Sequence, residues 1–165
     1  MNVAARQADD PGLVDEVRAV LEQTGLPPER LQLELTESAL MGPAPIETLH
    51  SLAQLGCRIA IDDFGTGYSN LAYLRSLPVH SLKLASLFVA GLQPVPAAPE
   101  DDDVDAQIVA TLVSLARTLR LTVTAEGIET PTQVERLREL GCHLGQGWLF
   151  GVPVAAEEVR KLLLN

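Results

Sequence analysis

The chain has 165 residues, 47% of them hydrophobic and 21% charged, which is enough to bury a core and too apolar to stay disordered. A formal net charge of −10 disfavours a broad surface for polymeric nucleic acid, but not a small nucleotide held through a metal ion. No apolar run reaches membrane-spanning length and no signal peptide opens the chain, so the cytoplasm, or a piece of a larger protein, is expected.

Met1 to Ala5 reads as the end of a strand, too short to define itself. Leu13, Val14, Val17, Val20 and Leu21 follow helical spacing, so a helix is expected from Pro11 to Thr24. Asp10 is its cap and Gly25 its stop. Leu31 to Leu35 alternates as a strand should, with Glu34 one residue from its end. A second helix covers Ala44 to Leu55, and Gly56 ends it.

Cys57 to Ile61 is a short apolar run that reads as a buried strand. Asp62 and Asp63 follow at its tip. Along a regular strand neighbours point to opposite faces, so the two cannot both face the core. Gly65-Thr66-Gly67 is backbone that can approach a ligand. Acid beside such a loop suits a divalent metal and a phosphorylated substrate; a strand end closed by an Asx-turn is the plainer reading.

Asn70 to Leu77 holds a helical turn, and Val79 to Leu84 is a strand with Lys83 near its tip. Gln93 to Asp103, rich in Pro, Ala and acid, reads as a solvated loop whose last acids cap the next helix. That helix runs from Val104 to Leu119, with Ile108, Leu112, Leu115 and Ala116 inward. Leu121 to Ala125 is a strand ending at Glu126. A helix from Thr132 to Leu140, a short strand from Cys142 to Gly145 ending at Gln146, and a helix from Ala155 to Leu164 complete the chain. Cys57 and Cys142 have no C-x-x-C spacing and read as reduced core thiols.

Leu52-Ala53-Gln54-Leu55-Gly56-Cys57 is echoed by Leu137-Arg138-Glu139-Leu140-Gly141-Cys142. Both are a helix end, a glycine and a strand start. The alternation of strand and helix calls for a parallel sheet with right-handed crossovers. In a parallel barrel Glu34, Asp62, Lys83, Glu126 and Gln146 would share the mouth formed by the strand ends. Glu34, Asp62 and Asp63, with the Asn2 carbonyl, are hard oxygen ligands for Mg²⁺ or Mn²⁺, and two such ions can activate water for in-line displacement at phosphorus. Lys83 suits positioning that water or meeting phosphoryl charge; pairing with acids for stability is the alternative. Glu126 fits a ligand or a general base. Glu37 and Glu129 would grip the Gly65-Thr66-Gly67 loop through backbone amides, though for Glu37 a helix-start acid accounts equally well.

Glu34-Leu35-Thr36-Glu37-Ser38, Asp62-Asp63-Phe64-Gly65-Thr66-Gly67-Tyr68-Ser69, Leu82-Lys83, Ala125-Glu126-Gly127-Ile128-Glu129-Thr130 and Gln146-Gly147-Trp148-Leu149-Phe150 resemble, in order and spacing, the motifs of the EAL-domain family. The resemblance implies a (β/α)₈ TIM-type barrel that hydrolyses cyclic di-GMP to pGpG with Mg²⁺ or Mn²⁺, in bacterial signalling. It assigns metal ligation to Asn2, Glu34, Asp62 and Asp63. Lys83, Glu126 and Gln146 become catalytic, Gln146 near the metal-bound water. Glu37 becomes the anchor of the loop that Phe64, Gly65, Thr66 and Gly67 form beside the substrate.

The namesake Glu-Ala-Leu motif and its arginine lie upstream of the Asn motif in the family, so this chain is expected to be a single, N-terminally incomplete domain over 1–165 with five to six strands. Ala4 and Ala85 stand where the family has a serine and an acid, Ser86-Leu87 replaces Arg-Ser, and the 93–103 loop is longer. Impaired turnover is expected, or a degenerate module that binds cyclic di-GMP or a protein partner. An open barrel exposes sheet edges, so a homodimer or a complementing chain is expected to cover them.

Overall fold

The computed structural model describes residues 1–41, 45–67, 71–92 and 103–164. The 93–103 loop lies outside the described residues except for Asp103, as do Tyr68, Ser69 and Asn70.

Asn2 makes a parallel bridge to Glu34, secured by hydrogen bonds from Val3 N to Glu34 O (2.8 Å) and from Glu34 N to Met1 O (2.9 Å). The expected strand end is therefore present, and it turns at once into a short helix, α1 (Ala5–Ala8). Helix α2 (Leu13–Thr24) starts two residues late. Asp10 still closes the entry, its Oδ1 accepting from Gly12 N at 2.8 Å. Leu13, Val17 and Leu21 are buried, whereas Val20, expected inward, is exposed. Val14, half-buried, packs beside the buried three against the core.

Strand β1 (Gln32–Thr36) leads through a 3₁₀ turn (Glu37–Met41) to helix α3 (Pro45–Gln54). Then come β2 (Arg58–Phe64), α4 (Leu71–Ser76), β3 (Ser81–Leu84) and α5 (Ser86–Ala90). Helix α6 (Val104–Thr118), β4 (Thr122–Ala125), α7 (Pro131–Glu139), β5 (Leu144–Gly145) and α8 (Ala156–Leu164) follow. Asp103 caps α6 as expected, accepting from Ala106 N at 2.9 Å. The buried face of α6 is Ala106, Val109, Val113 and Ala116, which includes the expected Ala116; the expected Ile108, Leu112 and Leu115 are half-buried and pack at its margin.

The repeated hexapeptide adopts one geometry twice. Cys57 N donates to Leu52 O (3.2 Å) and Cys142 N to Leu137 O (2.9 Å), across left-handed Gly56 and Gly141. This closure satisfies the last helical carbonyls while aiming the chain into the sheet. Both cysteines are free and buried.

All five strands are parallel and pair in chain order, β1-β2-β3-β4-β5. Sequential parallel order with intervening helices makes an arc of a TIM-type barrel. Cover falls across that arc. Ile59, Ala60 and Ile61 of β2 and all four residues of β3 are buried, as strands covered on both faces must be. Strand β4 is partly covered, and both residues of β5 are exposed. Beyond β5, Trp148, Phe150, Val152 and Val154 are exposed too.

Between β2 and β3 the register slips. Ile61 pairs with Leu82 and Phe64 with Leu84, so β2 spends three steps where β3 spends two. The extra residue is a β-bulge at the two aspartates. Asp63 takes the left-handed conformation there, with φ of 52°.

Candidate metal and phosphoryl-transfer site

The carboxyl ends of the strands place the side chains. Thr36 of β1 aligns with Asp62 of β2, and Lys83 of β3 with Thr124 of β4. Glu126 extends the β4 ladder by one bond, its N–H donating to Leu84 O at 3.2 Å. Four of the five expected rim residues meet around one ammonium. Lys83 Nζ lies 2.8 Å from Glu34 Oε2, 3.0 Å from Asp62 Oδ1 and 2.6 Å from Glu126 Oε1. The Lys83 side chain is 7% exposed.

Burial opposes the charge of Lys83, but hydrogen bonds to Glu126, Glu34 and Asp62 outweigh it and hold the ammonium well above the ordinary lysine value. Burial also works against the Glu34 carboxylate. Lys83 and Gln32 overcome it there and hold Glu34 below its ordinary value. Glu126 goes the other way: burial raises its proton affinity, Lys83 opposes this, and Asp62 and Asp63 add to the rise.

The bulge answers the alternation problem. Asp62 and Asp63, neighbours in sequence, both join Glu126 in a group whose oxygens lie within 4.8 Å of one another. The irregular register and the left-handed Asp63 turn the second aspartate onto the rim. Three hard carboxylate donors at that spacing fit Mg²⁺ or Mn²⁺. Asn2 reaches β1 next to Glu34, and its side chain is exposed.

Glu37 is buried, and its Oε2 accepts from Gly65 N (3.0 Å) and Gly67 N (3.2 Å). Thr66 is held from inside the loop, its Oγ1 donating to Asp63 O at 2.8 Å. The loop's amides thus turn toward Glu37 rather than outward to a ligand. A side chain at Gly65 would stand 2.8 Å from Phe88, and one at Gly67 would stand 3.0 Å from Glu37. Phe64 is buried beneath.

Glu129 differs from expectation. Its carboxylate makes no hydrogen bond to the glycine loop among the described residues, and its side chain is exposed. It lines instead a cavity of about 590 Å³ with Ser86, Glu126, Gln146 and Trp148. The cause is local: Glu129 N and Thr130 N both donate to Gln133 Oε1 in the cap of α7, which faces Glu129 to the β4–β5 side. Gln146 is exposed in the same cavity and makes no hydrogen bond to Lys83, its backbone fixed by a 2.8 Å bond from its N–H to Ala125 O.

One supporting residue escaped the sequence reading. Gln32 Nε2 donates to Glu34 Oε1 at 3.0 Å. Two residues back on the same strand face, Gln32 carried a usable signal in its spacing alone.

Fold and site define an arc of an α/β barrel with an acidic, metal-capable mouth at its strand ends. The EAL domain profile matches residues 1–153, and the chain belongs to that family. It is 45% identical over 161 residues to the bifunctional diguanylate cyclase/cyclic di-GMP phosphodiesterase MucR of Pseudomonas aeruginosa, covering 96% of this chain and 22% of that protein. The cyclic di-GMP phosphodiesterase NbdA of the same organism is 43% identical over 165 residues, covering 99% and 20%. The chain thus spans about a fifth of these curated relatives. The solved PaMucR phosphodiesterase in complex with cyclic di-GMP superimposes with a TM-score of 0.86 at 45% identity, over 96% of this chain and 62% of that one. The EAL domain of Mycobacterium smegmatis DcpA does so with a TM-score of 0.86 at 38% identity, over 99% and 71%. Among the described residues, no helix is long and apolar enough to cross a membrane.

Proposed function

We propose that this chain forms the metal-binding and catalytic side of a cyclic di-GMP phosphodiesterase, with turnover reduced from the family's level. The convergence of Glu34, Asp62 and Glu126 on Lys83, with Asp63 beside them, carries this reading. Asp62, Asp63 and Glu126 would hold Mg²⁺ or Mn²⁺, with Glu34 and the Asn2 carbonyl next in line. Such an ion supplies charge neutralisation at phosphate and a more acidic water.

The residues divide the remaining work. Lys83, kept charged by its surroundings, meets the negative charge that builds on the phosphoryl oxygens. Glu126, whose burial favours its protonated form, takes the proton of the attacking water. The water oxygen bonds to phosphorus, the P–O3′ bond breaks, and the departing 3′-oxygen takes a proton from solvent, giving pGpG. Gln146 and Glu129 bound the cavity beside this centre and would face the substrate.

Ala85 and Ser86 support reduced turnover, since the pair carries no charge beside Lys83 where the family has an acid and an arginine. The test is pGpG release by the purified chain with Mn²⁺. Slow release that vanishes in Asp62→Ala supports the proposal. Micromolar cyclic di-GMP binding with no release would instead make the chain a binding module.

A further inference from the structure

Four carboxylates, on Glu34, Asp62, Asp63 and Glu126, crowd one rim, and three of them, on Glu34, Asp62 and Glu126, surround the Lys83 ammonium. Two of them serve twice. Asp62 and Glu126 bond Lys83, and the same two complete the metal-capable group with Asp63. The Lys83 side chain is 7% exposed, so it does not swing freely into water. Like charges this close repel strongly in a partly desolvated site, and a buried cation among them lowers that repulsion.

We infer that Lys83 is the built-in counter-cation of the metal-free rim, holding the carboxylates together at the expense of divalent-ion affinity. This rests on the metal-dependent reading of the site, but it assigns Lys83 a role outside the chemical step. When Lys83 is present, an arriving ion meets carboxylates already partly neutralised, and a positive charge within a few ångströms. When it is absent, the rim is held by the ion alone. The chain trades tight metal binding for a rim that keeps its shape when empty.

The experiment needs no nucleotide and no turnover. Mn²⁺ binding is titrated by calorimetry on wild type, Lys83→Met and Lys83→Arg, and Tm is measured with chelator and with saturating Mn²⁺. Lys83→Met is expected to melt below wild type in chelator, to regain most of the loss in Mn²⁺, and to bind Mn²⁺ at least tenfold more tightly. Lys83→Arg, which keeps the charge, stays near wild type in affinity. Equal or weaker Mn²⁺ binding by Lys83→Met overturns the inference while leaving the metal reading intact. Absence of Mn²⁺ binding in both wild type and Lys83→Met overturns the two together. Should Lys83→Met fail to fold in chelator, folding on Mn²⁺ addition supports the inference, and a chain still unfolded in saturating Mn²⁺ counts against it. Lys83→Gln repeats that comparison with a polar side chain of no charge.

Discussion

Asp63 sets the character of the site at the scale of single residues. Its left-handed backbone is uncommon for a side chain other than glycine, asparagine or aspartate. Asp63→Asn should therefore fold normally, with stability changed by no more than about 0.5 kcal/mol in urea unfolding. It removes one of three clustered carboxylates, so Mn²⁺-dependent turnover should drop by about 100-fold or more. Full activity in Asp63→Asn would exclude it from the metal group. Lys83 makes a second prediction, through linkage. Its folded-state proton affinity lies above the ordinary lysine value of 10.5, so the folded chain holds this proton more tightly than the unfolded chain. The resulting stability is complete below that value and is lost as pH rises past it. Urea midpoints should fall above pH 10.5 in wild type and less so in Lys83→Met. The types and order of these residues were legible in the sequence because polar groups at the strand ends of a parallel barrel open on one face. How Asp63 comes to join Asp62 was not, because a bulge depends on the neighbouring strand's register, which no local pattern records.

At the scale of elements, the glycine loop depends on a residue from another strand's end. Glu37 precedes it by 28 residues, yet accepts from both Gly65 and Gly67. Glu37→Ala strips two amides of their acceptor and should cost about 1–3 kcal/mol, with the loop losing its set shape. We expect cyclic di-GMP turnover to fall much further than thermal stability does. A variant with full turnover would show the loop to be dispensable. Strands and long helices were legible from apolar runs, helical spacing and the punctuation of Gly25, Gly56 and Gly141. The short helices α1 and α5 were not: each is one turn or so, shaped by packing rather than by its own periodicity. Glu129 misled for a related reason. Its place is decided by the α7 cap, in which Gln133 claims the Glu129 and Thr130 amides.

At the scale of the whole molecule, cover is uneven from one side of the sheet to the other. Strands β2 and β3 are enclosed by two apolar clusters, while β5 and the segment after it face solvent. Lys83 and Asp62 stand on the enclosed strands; Gln146 stands on the uncovered part. Backbone amides on strands with little apolar cover open at low free-energy cost. Deuterium should therefore enter residues 144–148 early and residues 59–61 and 82–84 late, and matched uptake by both sets would contradict this account. The cleft has one permanent wall and one that breathes. Nucleotide held between them would damp the looser wall, so ligand occupancy ought to be readable as slowed isotope uptake at the Gln146 side alone.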